Sequence, residues 1–352
     1  MSQRSGSDPR AQLPLFDPTQ LPVEPARRPH LPSRAEEREP SPAVTPTAQA
    51  KPAATGPGET VHAGALQGLP PHRGGVLKWI GNKHRVAASI VATLPKDFSL
   101  YLEPFVGSGA VLAELAPRVA IASDVLAPLV AIHTQVQRDA TGLVEAYRER
   151  VVASEASGSR EGKEAHFRAV RARYNATPNA DDLLFLARTC YGGVIRFSAR
   201  GDMNTPCGVH KPIRAETLAA RIAAWQPRVA GVRFEVADFE ATLDRAGPGA
   251  LVYCDPPYSD SEGTLYGAQA FSLQRLLAAI ERAKARGARV ALSIDGTKRS
   301  GRKIIDLALP ERLFESESLV DVGRSMLRRF QMEGQTLEDE RVADRLLLTW
   351  PT

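Results

Sequence analysis

Four consecutive residues, Asp255-Pro256-Pro257-Tyr258, follow directly on the apolar run Leu251-Val252-Tyr253-Cys254. Such a run reads as a buried strand that the prolines end, because proline brings no N–H to a ladder and fixes its own φ. The corner would hold a carboxylate and backbone carbonyls rigidly at the carboxyl end of a strand. Fixed acceptors of that kind suit an amine on a heteroaromatic ring. Accepting its protons helps to localise a lone pair otherwise spread into the ring, and Tyr258 offers a flat face on which such a ring can stack. The plain alternative is a proline-rich strand exit with a packed tyrosine.

A glycine loop, Glu103-Pro104-Phe105-Val106-Gly107-Ser108-Gly109, follows the short apolar run Leu100-Tyr101-Leu102 and precedes a helical stretch over 110–115. Glycine at a strand-to-helix turn adopts dihedrals that a Cβ forbids and lets the backbone approach a nucleotide-like ligand. Alone, the loop is compatible with NAD, a flavin or no ligand. The third glycine of the dinucleotide fingerprint is missing, Leu112 standing in its place, and this favours S-adenosylmethionine, which has no pyrophosphate to cradle. Residues 119–123 form the next apolar run and close on Asp124. Its carboxylate suits both hydroxyls of a ribose, or the cap of the helix that follows.

These residues need a scaffold in which several strands end at one edge. Strand, loop and helix alternate from residue 100 to about Gln137, which predicts a doubly wound, mostly parallel α/β sheet of the Rossmann-like kind. From about Thr141 to Ala230 the pattern changes to helical periodicity, polar loops and clustered arginines. The α/β rhythm then resumes with residues 232–236 and 251–254, a helix from Phe271 to about Ala285, and residues 289–294, with 318–322 and 345–350 as expected last strands. Three parts follow: a disordered Pro/Ala-rich tail over 1–72, with order setting in near Gly75; a catalytic domain from 73–140 and 231–352; and a helical insert over 141–230. Within the tail, Gln12-Leu13-Pro14-Leu15-Phe16 resembles the short peptide by which bacterial DNA enzymes bind the replication sliding clamp, although five-residue matches in such sequence arise readily by chance.

Taken together, Lys78-Trp79-Ile80-Gly81-Asn82-Lys83, the 105–109 loop, Arg196-Phe197, the stretch Gly201-Asp202-Met203-Asn204-Thr205-Pro206-Cys207-Gly208 and the corner at 255–258 resemble the D12 class of Dam-like adenine-N6 DNA methyltransferases. The resemblance runs from about Leu77 to the C-terminus. It implies a site-specific enzyme that flips adenine from duplex DNA and methylates N6 directly from S-adenosylmethionine, with no metal and no covalent enzyme intermediate. Trp79, Lys83, Asp124 and Asp255 would contact the cofactor along with Phe105, Gly107 and Gly109, and Asp238-Phe239 would lie beside its adenine. Trp79 reads as an accessible ring beside Gly81, and Lys83 as the counter-charge of the methionine carboxylate; a core tryptophan with a helix-capping lysine is the other reading. Asp255, Pro256, Pro257 and Tyr258 would carry catalysis.

The same resemblance makes Arg196 a base reader, with Lys78, Asn204, Pro206 and His210 beside it. Arg200, Lys211, Arg214, Lys298-Arg299 and Arg328-Arg329 are candidate phosphate contacts, and solvation is their ordinary role. Gly192-Gly193 replaces an Asn-Gly step, Ser198 an Asn and Cys207 an aromatic, which leaves GATC recognition open. Restriction-modification, phage and housekeeping roles are equally compatible. The rivals are cytosine-N4 or RNA methylation on the same fold, a DNA-binding protein without catalysis and, more remotely, a dehydrogenase. Cys254 follows Tyr253 rather than a proline, so it reads as a buried thiol and not as a cytosine-C5 nucleophile.

The bulk composition fits this picture. The 352 residues are 43% hydrophobic and 24% charged, with a net charge of +5; a polyanion such as double-stranded DNA suits that charge. No run approaches the ~18 apolar residues of a spanning helix, and no signal-peptide order is evident. A cytoplasmic monomer with reduced cysteines is expected, since Cys190, Cys207 and Cys254 match no disulfide or zinc pattern.

Overall fold

The computed structural model describes residues 64–70, 72, 74–79, 81–257, 271–295, 297–298, 303–304, 309–324 and 341–351. Residues 12–16, Tyr258, Arg299, Arg328 and Arg329 lie outside them. Seven strands form one sheet: β1 (Leu100–Glu103), β2 (Ala120–Asp124), β3 (Val232–Val236), β4 (Ala250–Cys254), β5 (Arg289–Asp295), β8 (Ser316–Arg324) and β9 (Arg341–Leu348). Two further short strands, β6 (Thr297–Lys298) and β7 (Lys303–Ile304), pair separately.

The sheet order is β3-β2-β1-β4-β5-β9-β8. β1 to β5 run parallel, β9 runs antiparallel to β5, and β8 pairs antiparallel with β9. This is the expected doubly wound, mostly parallel sheet, with its switch point between β1 and β4. The last two strands are longer than the sequence suggests.

Both faces of the sheet are covered, and the strand residues divide between them with period two. Tyr101, Leu251, Tyr253 and Ala291 point into one apolar cluster. Leu102, Val252, Cys254 and Leu292 point into the other. The second cluster is closed by α8 (Phe239–Leu243) and α9 (Leu273–Ala285). The first takes in α1 (Ala87–Thr93), α2 (Ala110–Leu115) and α3 (Ala127–Arg138), and also the helices between β2 and β3: α4 (Thr141–Ala156), α5 (Arg160–Ala176), α6 (Ala180–Thr189) and α7 (Ala215–Trp225).

The helices of the insert thus share one continuous core with the sheet. Their centre is α6, whose Leu183, Leu184, Phe185, Leu186 and Ala187 are all buried. Asn179 caps α6 by accepting the Asp182 amide at 2.9 Å. The buried Asp182 carboxylate is satisfied by Arg150 at 2.7 Å and by two nitrogens of Arg173 at 2.6 and 2.8 Å. Where the chain returns from the insert, Gln137 in the last turn of α3 donates to the carbonyls of Val229 and Val232, both at 2.6 Å.

Packing begins earlier than the expected onset near Gly75. Gly64 donates to Phe98 O, Leu66 to Ala116 O, and Arg118 to Gly64 O, so residues 64–66 form backbone bonds with the loops around β1 and α2. A Pro/Gly-rich composition hid this segment because its partners are backbone groups elsewhere in the chain. Farther on, the buried Arg188 of α6 donates to Gly75 O at 2.8 Å and Val76 O at 2.9 Å, which anchors the approach to residues 78–83.

Candidate active site

The carboxyl ends of β1, β2 and β4 meet at the switch point, where open α/β sheets bind their ligands. Asp255 follows β4 directly, and its Oδ1 lies 2.8 Å from the ammonium of Lys83. Lys83 is buried and also faces Asp344 Oδ2 at 3.5 Å and donates to Gly81 O at 3.3 Å. Burial alone would lower its pKa, but the Asp255 and Asp344 carboxylates outweigh that and hold it above the usual lysine value. Lys83, expected as the counter-charge of a ligand carboxylate, thus also faces two carboxylates of its own chain.

Glu103 ends β1 beside this group. It is buried and accepts the Tyr101 hydroxyl at 2.6 Å. Burial, with the neighbouring Asp255 charge, raises its pKa to about 8, although the Tyr101 hydrogen bond opposes the shift. Cys254 is fully buried on the opposite face, and desolvation raises its thiol pKa, so it is the inert strand-end thiol expected.

In the glycine loop, Gly107 and Gly109 both take positive φ, 45° and 66°. The Gly107 amide donates to Asp124 Oδ2 at 3.2 Å, and the Leu126 amide to Asp124 Oδ1 at 3.1 Å. Burial raises the Asp124 pKa against these backbone donors. Behind the loop, buried His133 meets Gly107 O through Nε2 at 2.9 Å. Its ring stacks between Phe234 and Trp225, and desolvation lowers its pKa to about 4. Trp79 is not the accessible ring its sequence context suggests. It is 6% exposed and lies against Gly107, where an added Cβ would sit 3.5 Å from the indole nitrogen.

On the outer side, Phe105 stacks on Phe239 at 5.3 Å, and Phe271 closes the cluster edge-on to both. Phe239 is thus buried in an aromatic triad, with the Arg275 guanidinium 5.1 Å from its ring centroid. Asp238 caps α8 by accepting the Glu240 amide at 2.9 Å, with Arg275 at 3.3 Å. Val125 and Val236 are exposed at the ends of β2 and β3, flanking Asp124.

The candidate reading element is a hairpin-like loop following α6. Cys190 pairs with Cys207 and Phe197 with Met203, and Ser198 accepts the Gly201 amide through its carbonyl to form the turn. Arg196, Asn204, Pro206, His210, Arg200, Lys211 and Arg214 are all exposed. Arg196 Nε donates to Asn204 Oδ1 at 2.7 Å, which fixes the guanidinium across the loop. From α5, Asn175 clamps both backbone groups of Met203, at 2.9 and 3.1 Å, and Arg171 donates to Thr205 O at 2.8 Å. Gly193, at φ +73°, makes room for the Lys78 stem: a Cβ there would meet it at 2.6 Å. Lys78 thereby joins the loop to Trp79.

Comparison with known proteins decides between the readings. A family model described as "D12 class N6 adenine-specific DNA methyltransferase" matches residues 79–326. This chain belongs to that family. It is 30% identical over 231 residues to the DNA N-6-adenine-methyltransferase of Escherichia phage P1, an alignment that takes in 63% of this chain and 30% of the phage protein. With the DNA adenine methylase of Haemophilus influenzae it shares 28% identity, across 57% of this chain and 72% of the relative. The type II methyltransferase M.MjaIII of Methanocaldococcus jannaschii is 30% identical, across 52% and 68%.

For a D12 methyltransferase the donor set fits S-adenosylmethionine. Beside Glu103, which its raised pKa of about 8 keeps mostly protonated near neutral pH, three carboxylates, Asp124, Asp238 and Asp255, sit at the carboxyl edge around a glycine loop. They suit a sulfonium, an ammonium and ribose hydroxyls and would repel a pyrophosphate. Among the described residues no group of three or more His, Cys, Asp or Glu could hold a metal ion, and no helix is long and apolar enough to cross a membrane. The structure joins Lys83 to Asp255 and links Asp124, Gly107 and Trp79. Reasoning from sequence missed Glu103 as a separate acid, His133 behind the loop, Asn175 under the hairpin, and Asp344.

Proposed function

We propose that this chain transfers the methyl group of S-adenosylmethionine to N6 of adenine in double-stranded DNA, at a short recognition sequence. What supports this most is the placement of Asp255-Pro256-Pro257 immediately beyond β4, beside the glycine loop beyond β1 and tied to Lys83. S-adenosylmethionine, when bound, supplies an electrophilic methyl group on a sulfonium whose departure leaves a neutral thioether. Asp255 and the Pro256 carbonyl accept hydrogen bonds from the two N–H groups of the adenine amine and turn its lone pair toward that group, while Tyr258 stacks on the flipped base. The one proton that N6 sheds, after the N–C bond has formed and the S–C bond has broken, passes by way of Asp255 to solvent. Holding the reacting atoms in line provides most of the acceleration. Trp79, Gly107, Asp124 and the 238–239 pair line the cofactor's place. The hairpin carries Arg196, Asn204, Pro206 and His210 to the DNA, with Lys78 at its base.

Tritiated methyl transfer to duplex DNA, followed by digestion to nucleosides, tests the assignment. N6-methyladenine is the expected product, and Asp255→Ala should lower the rate on the order of a hundredfold or more. N4-methylcytosine, or label in RNA only, would overturn it.

A further inference from the structure

We propose that Cys190 and Cys207 form a dithiol modification site: a small disulfide such as oxidised glutathione converts the pair into a cross-strand disulfide that closes the candidate reading hairpin at its root. The inference does not depend on which base is methylated.

Backbone register carries it. Cys190 and Cys207 face each other in an antiparallel bridge. The Tyr191 amide donates to Pro206 O at 2.9 Å and the Gly208 amide to Thr189 O at 2.7 Å. The flanking residues thus make the ladder bonds, and the two cysteines occupy the non-hydrogen-bonded pair between them. At such a pair the Cα atoms lie about 4.5 Å apart and both side chains leave on the same face. That separation falls within the range of roughly 4.4–6.8 Å that a disulfide spans. The two limbs are pressed together here: a Cβ added to Gly208 would lie 2.8 Å from the carbonyl oxygens of Thr189 and Cys190.

The two thiols differ in access. Cys190 is buried, with its Sγ 3.8 Å from Ala187 O and 3.7 Å from Val194 O. Those are weak sulfur bonds, which a turn about its Cα–Cβ bond exchanges for the disulfide. Cys207 is half-buried, so a reagent enters there. Its thiolate attacks one sulfur of the reagent, whose own S–S bond breaks to expel a first thiolate. Cys190 then gives its proton to solvent and attacks the Cys207 sulfur, expelling the second thiolate. Both leaving groups take up protons, so two protein thiols are oxidised and one reagent disulfide is reduced to two thiols. Burial raises both thiol pKa values, that of Cys190 to about 12 against the nearby Lys78. For Cys207 the Glu164 charge adds to burial, and Arg160 and Lys163 oppose it. Linking is therefore slow at neutral pH and quickens about tenfold per pH unit with the thiolate fraction. The closed ring, residues 190–207, includes Arg196 and Asn204. Arg171 and Asn175 of α5 already hold Thr205 and Met203, and the disulfide adds a fixed point at the root.

The test incubates the reduced full-length protein with oxidised glutathione at pH 7.5 and 8.5, then alkylates it in denaturant, digests it with trypsin and identifies the peptides by mass spectrometry. Cleavage after Arg188, Arg196, Arg200 and Arg214 puts the two cysteines on separate peptides. The expected product is Thr189–Arg196 joined to Gly201–Arg214, formed about tenfold faster at the higher pH, with Cys254 alkylated. Hydrogen exchange of the amides over 196–205 should slow at least threefold on oxidation and recover with dithiothreitol. In Cys190→Ser, glutathione should remain on Cys207 as a mixed disulfide. A stable glutathione adduct on Cys207 of the wild type, a link to Cys254, or no loss of thiols overturns the proposal, and none of these readings needs a variant. Hairpin amides whose exchange is the same in the linked and reduced protein overturn it as well.

Discussion

Gly109 shows how little freedom a single position in this site retains. Its φ is +66°, and an added Cβ would lie 3.3 Å from both His133 and Trp225. Gly109→Ala should therefore lose about 1–2 kcal/mol of stability from the left-handed backbone alone, read as a lower melting temperature, and should weaken S-adenosylmethionine binding in calorimetry. Glu103 gives a prediction with a definite sign. Its folded pKa, about 8, lies above the ordinary carboxylate value. The stability it contributes is full below the unfolded pKa and is lost as pH rises toward about 8, at up to about 1.4 kcal/mol per pH unit. Glu103→Gln should flatten that part of the stability curve in denaturant titrations between pH 5 and 8. Asp255 was legible in the sequence because two prolines follow it in the chain. The contacts of His133 and Asp344 were not, because their partners lie 26 residues away in one case and 261 in the other, at Gly107 and Lys83.

At the level of elements, the hairpin proposed to read the DNA is braced by α5 as well as by its own short bridges. Asn175→Ala removes both hydrogen bonds to Met203 while leaving every exposed residue of the hairpin in place. The expected outcome is a loss of sequence discrimination in competition binding, with nonspecific DNA affinity unchanged, because phosphate contacts do not need the loop's exact form. Arg196→Ala should remove about 1–3 kcal/mol of that discrimination outright. Helix periodicity revealed the helices between β2 and β3, and strand spacing revealed β1 to β5 within a residue or two. The pairing of the hairpin did not show in the sequence, since its two bridges are too short for any period to appear. The reversal of β9 was likewise hidden: an apolar strand reads the same in either direction.

Taken whole, the molecule buries several groups that must remain uncharged. His84 and His133 are both held neutral by burial, with pKa lowered to about 4. A base with a depressed pKa contributes stability that is present above its unfolded value, near 6.5, and is lost as pH falls toward about 4. Unfolding followed by calorimetry from pH 7 to 4.5 should therefore show a steep drop, partly offset by Glu103. His133→Phe should lessen it, because a ring is kept between Phe234 and Trp225 without a proton to bind.

Gln137 grips the chain where it comes back to the sheet, so the excursion between β2 and β3 departs and arrives through neighbouring doorways. A segment of another length could be grafted there without disturbing the β2–β3 register, provided it brought an apolar helix to take the berth of α6 against α3. On the proposed reading, such a graft would change the word read in DNA while the chemistry that marks it stayed the same.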